Sequence, residues 1–566
     1  MTALSDPLAL PCGQVLGNRL MKAALSEGLG TPAAGPDERL DRLYRRWGTG
    51  GFGLVVTGNV MVDRDHLGEP GNVVVEDERH LDDLRRWSAH ATGAGARIWM
   101  QINHPGRQAN PLMTKVQPVA PSAIGLGLPG IPAPRALTDA EIVEIVHRFA
   151  TTARIAERAG FDGVQIHGAH GYLVSQFLSP LANQREDRWG GDPERRARFV
   201  LEVVRAIRAE VSSTFAVAIK LNSADFQRGG FTEDESRAVV RRLADERLDL
   251  IEISGGSYES PAMMGRPVAR SASTAAREAY FLEYARSVRA VAGSVPLAVT
   301  GGFRSRPAML DAVESGECDV VGLGRPTAVD PGAAAQILHQ RTERLHSPSI
   351  TLGLPARVAT LPNVKSLEGA LDLQWHTDQL HRLGAGADPD PDRAPWLTAA
   401  AMLKHHGVDA FRSRRSSTVT RPAKDPALRK FEFERAVGRY LANPTVRALS
   451  RIGIRTSFAT ELETTGRKSG QARVVPVSVS FDDTGAWVIS QHGTRSGWAA
   501  NIGAEPKVRV RQGDRWRTGV AELRPADDVV ARARSFAPNP VFAGLTAATF
   551  RALQSTPISV RITFTD

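Results

Sequence analysis

Cysteine is nearly absent from this chain: Cys12 and Cys318 are the two among 566 residues. A disulfide framework, a four-cysteine zinc site or a four-cysteine iron–sulfur cluster therefore cannot be assembled within it. Long apolar runs are missing as well. No window approaches the roughly 18 uninterrupted apolar residues of a membrane helix, so no membrane partner is expected. The opening MTALSDPLALPCG lacks a basic region followed by an apolar stretch, and with so little cysteine the cytoplasm is the expected compartment. Arginines are plentiful but not interleaved with aromatics on one evident face, so no nucleic-acid partner is expected either.

What is present points to more than one domain. The length exceeds the ~250 to 300 residues at which single cores stop growing, and 42% hydrophobic residues supply substantial interiors. Charge separates the two ends. Residues 411–566 carry 26 Lys and Arg against 13 Asp and Glu, a net +13, which leaves −3 for residues 1–410 in a chain of net +10. Such asymmetry fits a polyanionic ligand, an acidic surface, or simply a solvated arginine-rich face.

Along residues 1–330, eight apolar, β-branched-rich runs alternate with segments of helical periodicity. They lie at 19–26, 52–60, 97–104, 162–170, 215–223, 248–256, 296–302 and 319–325. One intervening segment, DAEIVEIVHRFATTARIAERAG, repeats apolar residues at three- and four-residue steps and stops at Gly160, which tolerates the left-handed cap. Eight such βα units predict an α/β fold, a (β/α)8 TIM barrel, with its chemistry at the C-terminal ends of the strands. Polar and glycine residues concentrate at those ends: Ser26, Gly58, Gln101, His104, His167, His170, Lys220, Gly302 and Arg325.

The fourth run ends in His167-Gly-Ala-His170-Gly-Tyr172. Two imidazoles three residues apart can donate to one oxygen, and a phenol beside them can supply a proton. Packed histidines or metal ligands are the alternatives at this spacing. The seventh and eighth strands end in TGG (Gly301, Gly302) and GLGR (Gly324, Arg325), where backbone N–H groups and a guanidinium can cradle a phosphate.

These segments, with QIHGAHGYLVSQFLSPLANQREDRWGGDPERRARFVLEVV, NRLMKAALS, QINHPGR and KLNSADF in the same order, resemble the Old Yellow Enzyme family of FMN-dependent ene-reductases over about residues 5–385. The resemblance implies FMN across the barrel mouth, with its phosphate on Gly301, Gly302, Gly324 and Arg325. Its ring edge would meet Ser26, Gln101 and Lys220, with Gly58 beside the cofactor. His167 and His170, with His104 nearby, would hold a carbonyl or nitro oxygen of the substrate, and Tyr172 would protonate the α-carbon. Two departures stand out: Ala24-Leu25-Ser26 replaces Pro-Met-Thr or Pro-Met-Cys, and Lys220 stands where arginine is common, keeping the charge but losing the planar two-pronged donor.

Residues 386–427 are rich in Pro, Ser and charge and read as barrel tail and linker. From 459 onward the pattern changes to alternating strands joined by polar turns, predicting a small split β-barrel over 428–566, with helices at its start and between 525 and 555. The turn Thr464-Thr-Gly-Arg467-Lys468-Ser469-Gly with SQHGTRSGWAANIGAEPKVRVRQ resembles the deazaflavin-dependent nitroreductase family. That resemblance implies coenzyme F420, or a second flavin, held by Arg467, Lys468 and Ser469, with Trp498 and Asn501 facing the ring. The expected enzyme is thus an FMN-dependent oxidoreductase acting on activated C=C bonds, with NAD(P)H or reduced deazaflavin as donor. A flavin oxidase, dehydrogenase or demethylase using the same barrel site, with a non-catalytic tail, is the alternative. The loops at 111–138 and 257–281 are expected to wall the pocket.

Overall fold

The computed structural model describes residues 2–93, 95–126, 132–225, 227–254, 281–348, 350–351, 362–395, 397–398, 401, 460–467, 469–490, 493–534, 536 and 557–566. The chain divides into two compact units, residues 1–415 and 416–566.

In the first unit eight strands appear where the alternation predicts them: β1 (Leu20–Lys22), β2 (Leu54–Val56), β3 (Arg97–Asn103), β4 (Gly163–Gly168), β5 (Ala216–Asn222), β6 (Leu250–Ser254), β7 (Leu297–Thr300) and β8 (Val320–Leu323). Each pairs in parallel with the next, and β8 returns to β1, so the sheet closes on itself. Closure removes every edge and makes each strand bury both faces, which is why these runs are nearly continuous in apolar residues. The run at 52–60 is broken into two: Val60–Met61 is a separate short strand, because the Gly58 N–H leaves the ladder for the Glu27 carboxylate at 2.9 Å.

Helices follow the strands in turn: α1 (Glu38–Gly48), α2 (Leu81–Thr92), α3 (Asp139–Arg158), α4 (Pro193–Glu210), α5 (Glu233–Ala244), α6 (Leu282–Arg289), α7 (Arg306–Glu314) and α8 (Ala333–Leu338). Their starts are written locally. Thr138 and Thr232 form reciprocal capping boxes with Glu141 and Glu235, and Asp192 caps α4 with Pro193 in its first turn. A further helix, α9 (Pro362–Gly384), packs on α1.

Inward-facing residues sort by height. Leu54, Trp99, Ala216, Leu250, Ala298 and Val320 form an apolar plug at the lower end, completed by Leu10 and Leu16 from the hairpin Leu8–Ala9/Val15–Leu16. Above the plug the inward residues turn polar, and this change of layer places the site at the strands' C-terminal ends.

The second unit contains a seven-stranded antiparallel sheet: β9 (Thr460–Thr465), β10 (Ala472–Val477), β11 (Val479–Asp482), β12 (Gly485–Ser490), β13 (Lys507–Gln512), β14 (Arg515–Arg524) and β15 (Ile558–Phe564). Its order is β10-β9-β13-β14-β15-β12-β11. The two edge strands are consecutive in the chain and separated by Ser478 alone, so the covalent backbone joins the edges and curls the sheet into a half-barrel. Its core holds Leu462, Val488, Val510, Val560 and Ile562. Α helix begins within the predicted 525–555 span, at Val529–Arg534; the helix expected at the start of this unit lies outside the described residues.

Candidate active site

A cavity of about 280 Å³ opens at the C-terminal ends of the barrel strands. Ser26, Gln101, His167, His170, Tyr172 and Lys220, drawn from five different strand ends, all line it. Residues up to 200 positions apart meet here because parallel strands end on one rim.

The two imidazoles sit with ring centroids 5.0 Å apart, and the Tyr172 ring lies edge-on to His167 at 4.8 Å. His167 Nδ1 accepts the Ala169 N–H at 3.3 Å, so the neutral ring carries its proton on Nε2. His170 Nε2 lies 3.1 Å from Ser254 Oγ, and its backbone adopts φ +61°. Burial, with each other's and Lys220's charge adding to it, holds His167 well below the ordinary histidine range and His170 down to about 3. Both rings are therefore neutral hydrogen-bond donors rather than acids at physiological pH.

Beneath them runs a polar chain. Gln101 Nε2 donates to Gln165 Oε1 at 2.7 Å, Gln165 Nε2 donates to Glu252 Oε2 at 2.7 Å, and the Lys220 ammonium stands 3.0 Å from Glu252 Oε1. All four residues are buried. Gln165 and Glu252 were not among the sequence candidates. Each is a lone polar residue within an apolar strand, GVQIHG and LIEIS, and that is the signal that marks them.

On the opposite side, Gly301 and Gly302 take φ +133° and +93°, conformations that L side chains rarely adopt. A Cβ on Gly322 would lie 1.8 Å from Thr300 Oγ1, and that hydroxyl is buried without a hydrogen-bond partner. Gly324 and Arg325 line the same end, where Arg325 pairs with Asp372 of α9 at 2.8 Å. Helix α9 also presents Leu373, His376, Thr377 and Leu380 to the cavity, a wall the sequence reading placed elsewhere. The described residues of 111–138 do not line it, and 257–280 lie outside the described residues.

Residues 4–344 match the family model described as NADH:flavin oxidoreductase / NADH oxidase. The chain belongs to the NADH:flavin oxidoreductase family. Residues 442–562 match the model described as F(420)H(2)-dependent quinone reductase. Among curated relatives, the NADH-dependent flavin oxidoreductase iliE of Hypocrea jecorina (strain QM6a) is 38% identical over 397 residues, covering 64% of this chain and 98% of its own length. The NADH-dependent flavin oxidoreductase nadA of Aspergillus parasiticus is 33% identical over 414 residues, 69% of this chain and 89% of its own. Of solved structures, the Old Yellow Enzyme homologue from Zymomonas mobilis shares the fold at a TM-score of 0.53 and 24% identity, over 61% of this chain and 94% of its own.

The site of this NADH:flavin oxidoreductase fits the cofactor its family name implies. The glycine pair leaves room where a Cβ would intrude, the partnerless Thr300 hydroxyl and Arg325 stand beside it, and Lys220 with Gln101 offers a polar edge across the cavity. Ser26 Oγ donates to Glu69, a cavity residue that no sequence signal singles out. Burial, then the nearby Glu27 charge, pushes the Glu69 carboxyl up to about 7.

Two of the expected residues do not line the cavity. His104, expected to bind substrate, is buried in a separate cluster: its ring lies 5.0 Å from that of His66, and Asp63 joins His66 Nδ1 at 2.7 Å and Arg148 at 3.1 Å. The strand's pleat turns Gln101 inward, while the loop beyond Asn103 carries His104 toward the Asp63 loop. Gly58, expected at the cofactor, serves packing; a Cβ there would lie 2.0 Å from Glu27 Oε2.

In the second unit the turn after β9 is tied to α10 (Gly497–Ala504). Asn501 Oδ1 accepts from the Arg467 N–H and from its Nη1, both at 3.3 Å, while Asn501 Nδ2 donates to Thr464 Oγ1 at 3.2 Å. Ser469 N donates to Gly466 O at 3.1 Å, closing the turn, and Trp498 packs against the core. Lys468 lies outside the described residues. Arg467, Ser469, Trp498 and Asn501 are thus gathered by one turn–helix contact.

Proposed function

We propose that the barrel binds FMN and reduces an activated C=C bond of an α,β-unsaturated carbonyl or nitro compound. The observation that carries this reading is the pair of neutral, buried imidazoles beside a phenol over the cavity. Bound and reduced, FMN supplies the hydride. His167 Nε2–H and His170 orient the substrate oxygen and stabilise the charge that builds on it, each donor being worth about 10²- to 10³-fold in rate. Because both rings are held neutral, they polarise the oxygen without surrendering a proton, and Tyr172 delivers one to the α-carbon. Gly301, Gly302, Gly324 and Arg325 would hold the phosphate, and Ser26, Gln101 and Lys220 the ring edge.

The second unit, which we assign to residues 428–566 after a barrel ending at 385 and a linker over 386–427, would hold a deazaflavin at Arg467, Lys468, Ser469, Trp498 and Asn501. The family match and the local excess of 13 positive charges support a polyanionic cofactor there. We assign it the role of passing reducing equivalents from reduced deazaflavin to FMN, beside NADH as donor to the barrel.

Purified protein should show a flavin absorption spectrum, lose it anaerobically with NADH, and regain it on addition of an enone or nitroalkene. A yellow protein that NADH reduces and no activated alkene reoxidises sinks the ene-reductase reading and favours an oxidase or dehydrogenase.

A further inference from the structure

We propose that Glu252, buried beneath the cavity and absent from its lining, is a positioning residue that sets both the charge and the hydrogen-bonding sense of the flavin-facing edge. The inference rests on the flavin reading above.

The polarity of the chain follows from elementary donor and acceptor chemistry. A carboxylate only accepts. Glu252 Oε2 therefore obliges Gln165 to present its amide NH2, at 2.7 Å. Gln165 must then offer its carbonyl oxygen to its other neighbour, and Gln101 can satisfy it only with its own NH2, again at 2.7 Å. Gln101 is left with its carbonyl oxygen as the end of the chain that can accept from a bound group, and Gln101 lines the cavity. In most glutamines the two amide ends are interchangeable; here the order is dictated from two residues away. Meanwhile the other oxygen of Glu252 faces the Lys220 ammonium at 3.0 Å, and Lys220 also lines the cavity. The edge thus offers one acceptor and one cationic donor, the complement of an imide N–H beside a carbonyl.

Glu252 also decides how much of the lysine's charge a ligand meets. With the carboxylate present the pair is neutral overall; without it, one uncompensated cation stands at the ring edge in a water-poor site, where electrostatics is strong. The pair is fully enclosed, with side chains 4% and 0% exposed, so solvent does little screening.

The test compares wild type, Glu252→Gln, Lys220→Met and the double variant as FMN-loaded enzymes, reading the midpoint potential and the affinity for sulfite, which adds to flavins in proportion to their electron deficiency. E252Q should raise the potential and tighten sulfite binding by roughly tenfold or more, and the double variant should return both toward wild type. Where E252Q fails to fold, the step from K220M to the double variant reads the same charge, and it too should raise the potential. FMN methylated at its imide nitrogen should bind wild type at least roughly tenfold more weakly than FMN and lose much of that penalty in E252Q, whose amides can invert. A yellow, folded E252Q with unchanged potential and sulfite affinity, or a double variant indistinguishable from K220M, overturns this inference while leaving the flavin reading intact. A wild type that takes up no flavin overturns both.

Discussion

At residue scale the histidine pair shows how position converts a common side chain into a specific device. Both rings are stripped of water, so they remain neutral, and the Ala169 N–H sets the tautomer of His167. Replacing His167 with Ala should lower turnover of an enone by about 10²- to 10³-fold, the usual loss for one such donor, with folding retained. His170 is subtler, because its φ of +61° is one that Asn tolerates and Ala does not. His170→Asn should fold normally and keep a larger share of activity than His170→Ala. The pH dependence follows from the same burial. His170 is held at about 3 when folded and returns to its ordinary 6.5 when unfolded, so between those values the unfolded chain binds a proton that the folded one refuses. Its contribution to stability is complete above about pH 6.5 and declines as pH falls, by up to about 1.4 kcal/mol per unit. Urea titrations should accordingly show wild type losing ground to His170→Asn between pH 6.5 and 4; a widening advantage for wild type would contradict the burial argument.

At the scale of elements, α9 is the part least visible in the sequence and most consequential for the site. It follows the eighth βα unit, yet it walls the cavity with Leu373, His376, Thr377 and Leu380, and its Asp372 holds Arg325. An anionic ligand at Gly301 and Gly302 must compete with that carboxylate for the guanidinium. Asp372→Asn should therefore tighten FMN binding, by roughly tenfold on the scale of a single charge-assisted contact, as measured by fluorescence titration of the apoprotein; unchanged or weaker binding would show that Asp372 helps to position the arginine. The eight strands and their caps, by contrast, were legible. Continuous apolar runs, Thr-x-x-Glu boxes and a terminal Gly160 are local signals. Where a local signal misled, a tertiary contact had won. Gly58 left its strand for Glu27, and His104 went to His66 and Asp63, as no residue spacing could announce.

At the scale of the whole molecule, two cofactor-binding folds share one chain with opposite charge balance. If the second unit feeds the first, full-length protein should reduce its FMN with reduced deazaflavin as well as with NADH, and a chain ending at residue 427 should keep the NADH reaction alone. Stopped-flow absorbance of both proteins decides it, and undiminished deazaflavin-driven reduction by the shorter chain would detach the tail from electron transfer.

By itself, the amino-acid sequence determined the two-part architecture, the parallel barrel, the curled antiparallel sheet and the strand ends where chemistry gathers, because periodicity, caps and turn residues act over a few positions. Only the tertiary structure decided which strand-end residues meet, that Gln165 and Glu252 underlie Lys220, and that α9 closes on Arg325. Those partners are tens to more than a hundred residues apart, and the closed barrel brings them within hydrogen-bonding reach.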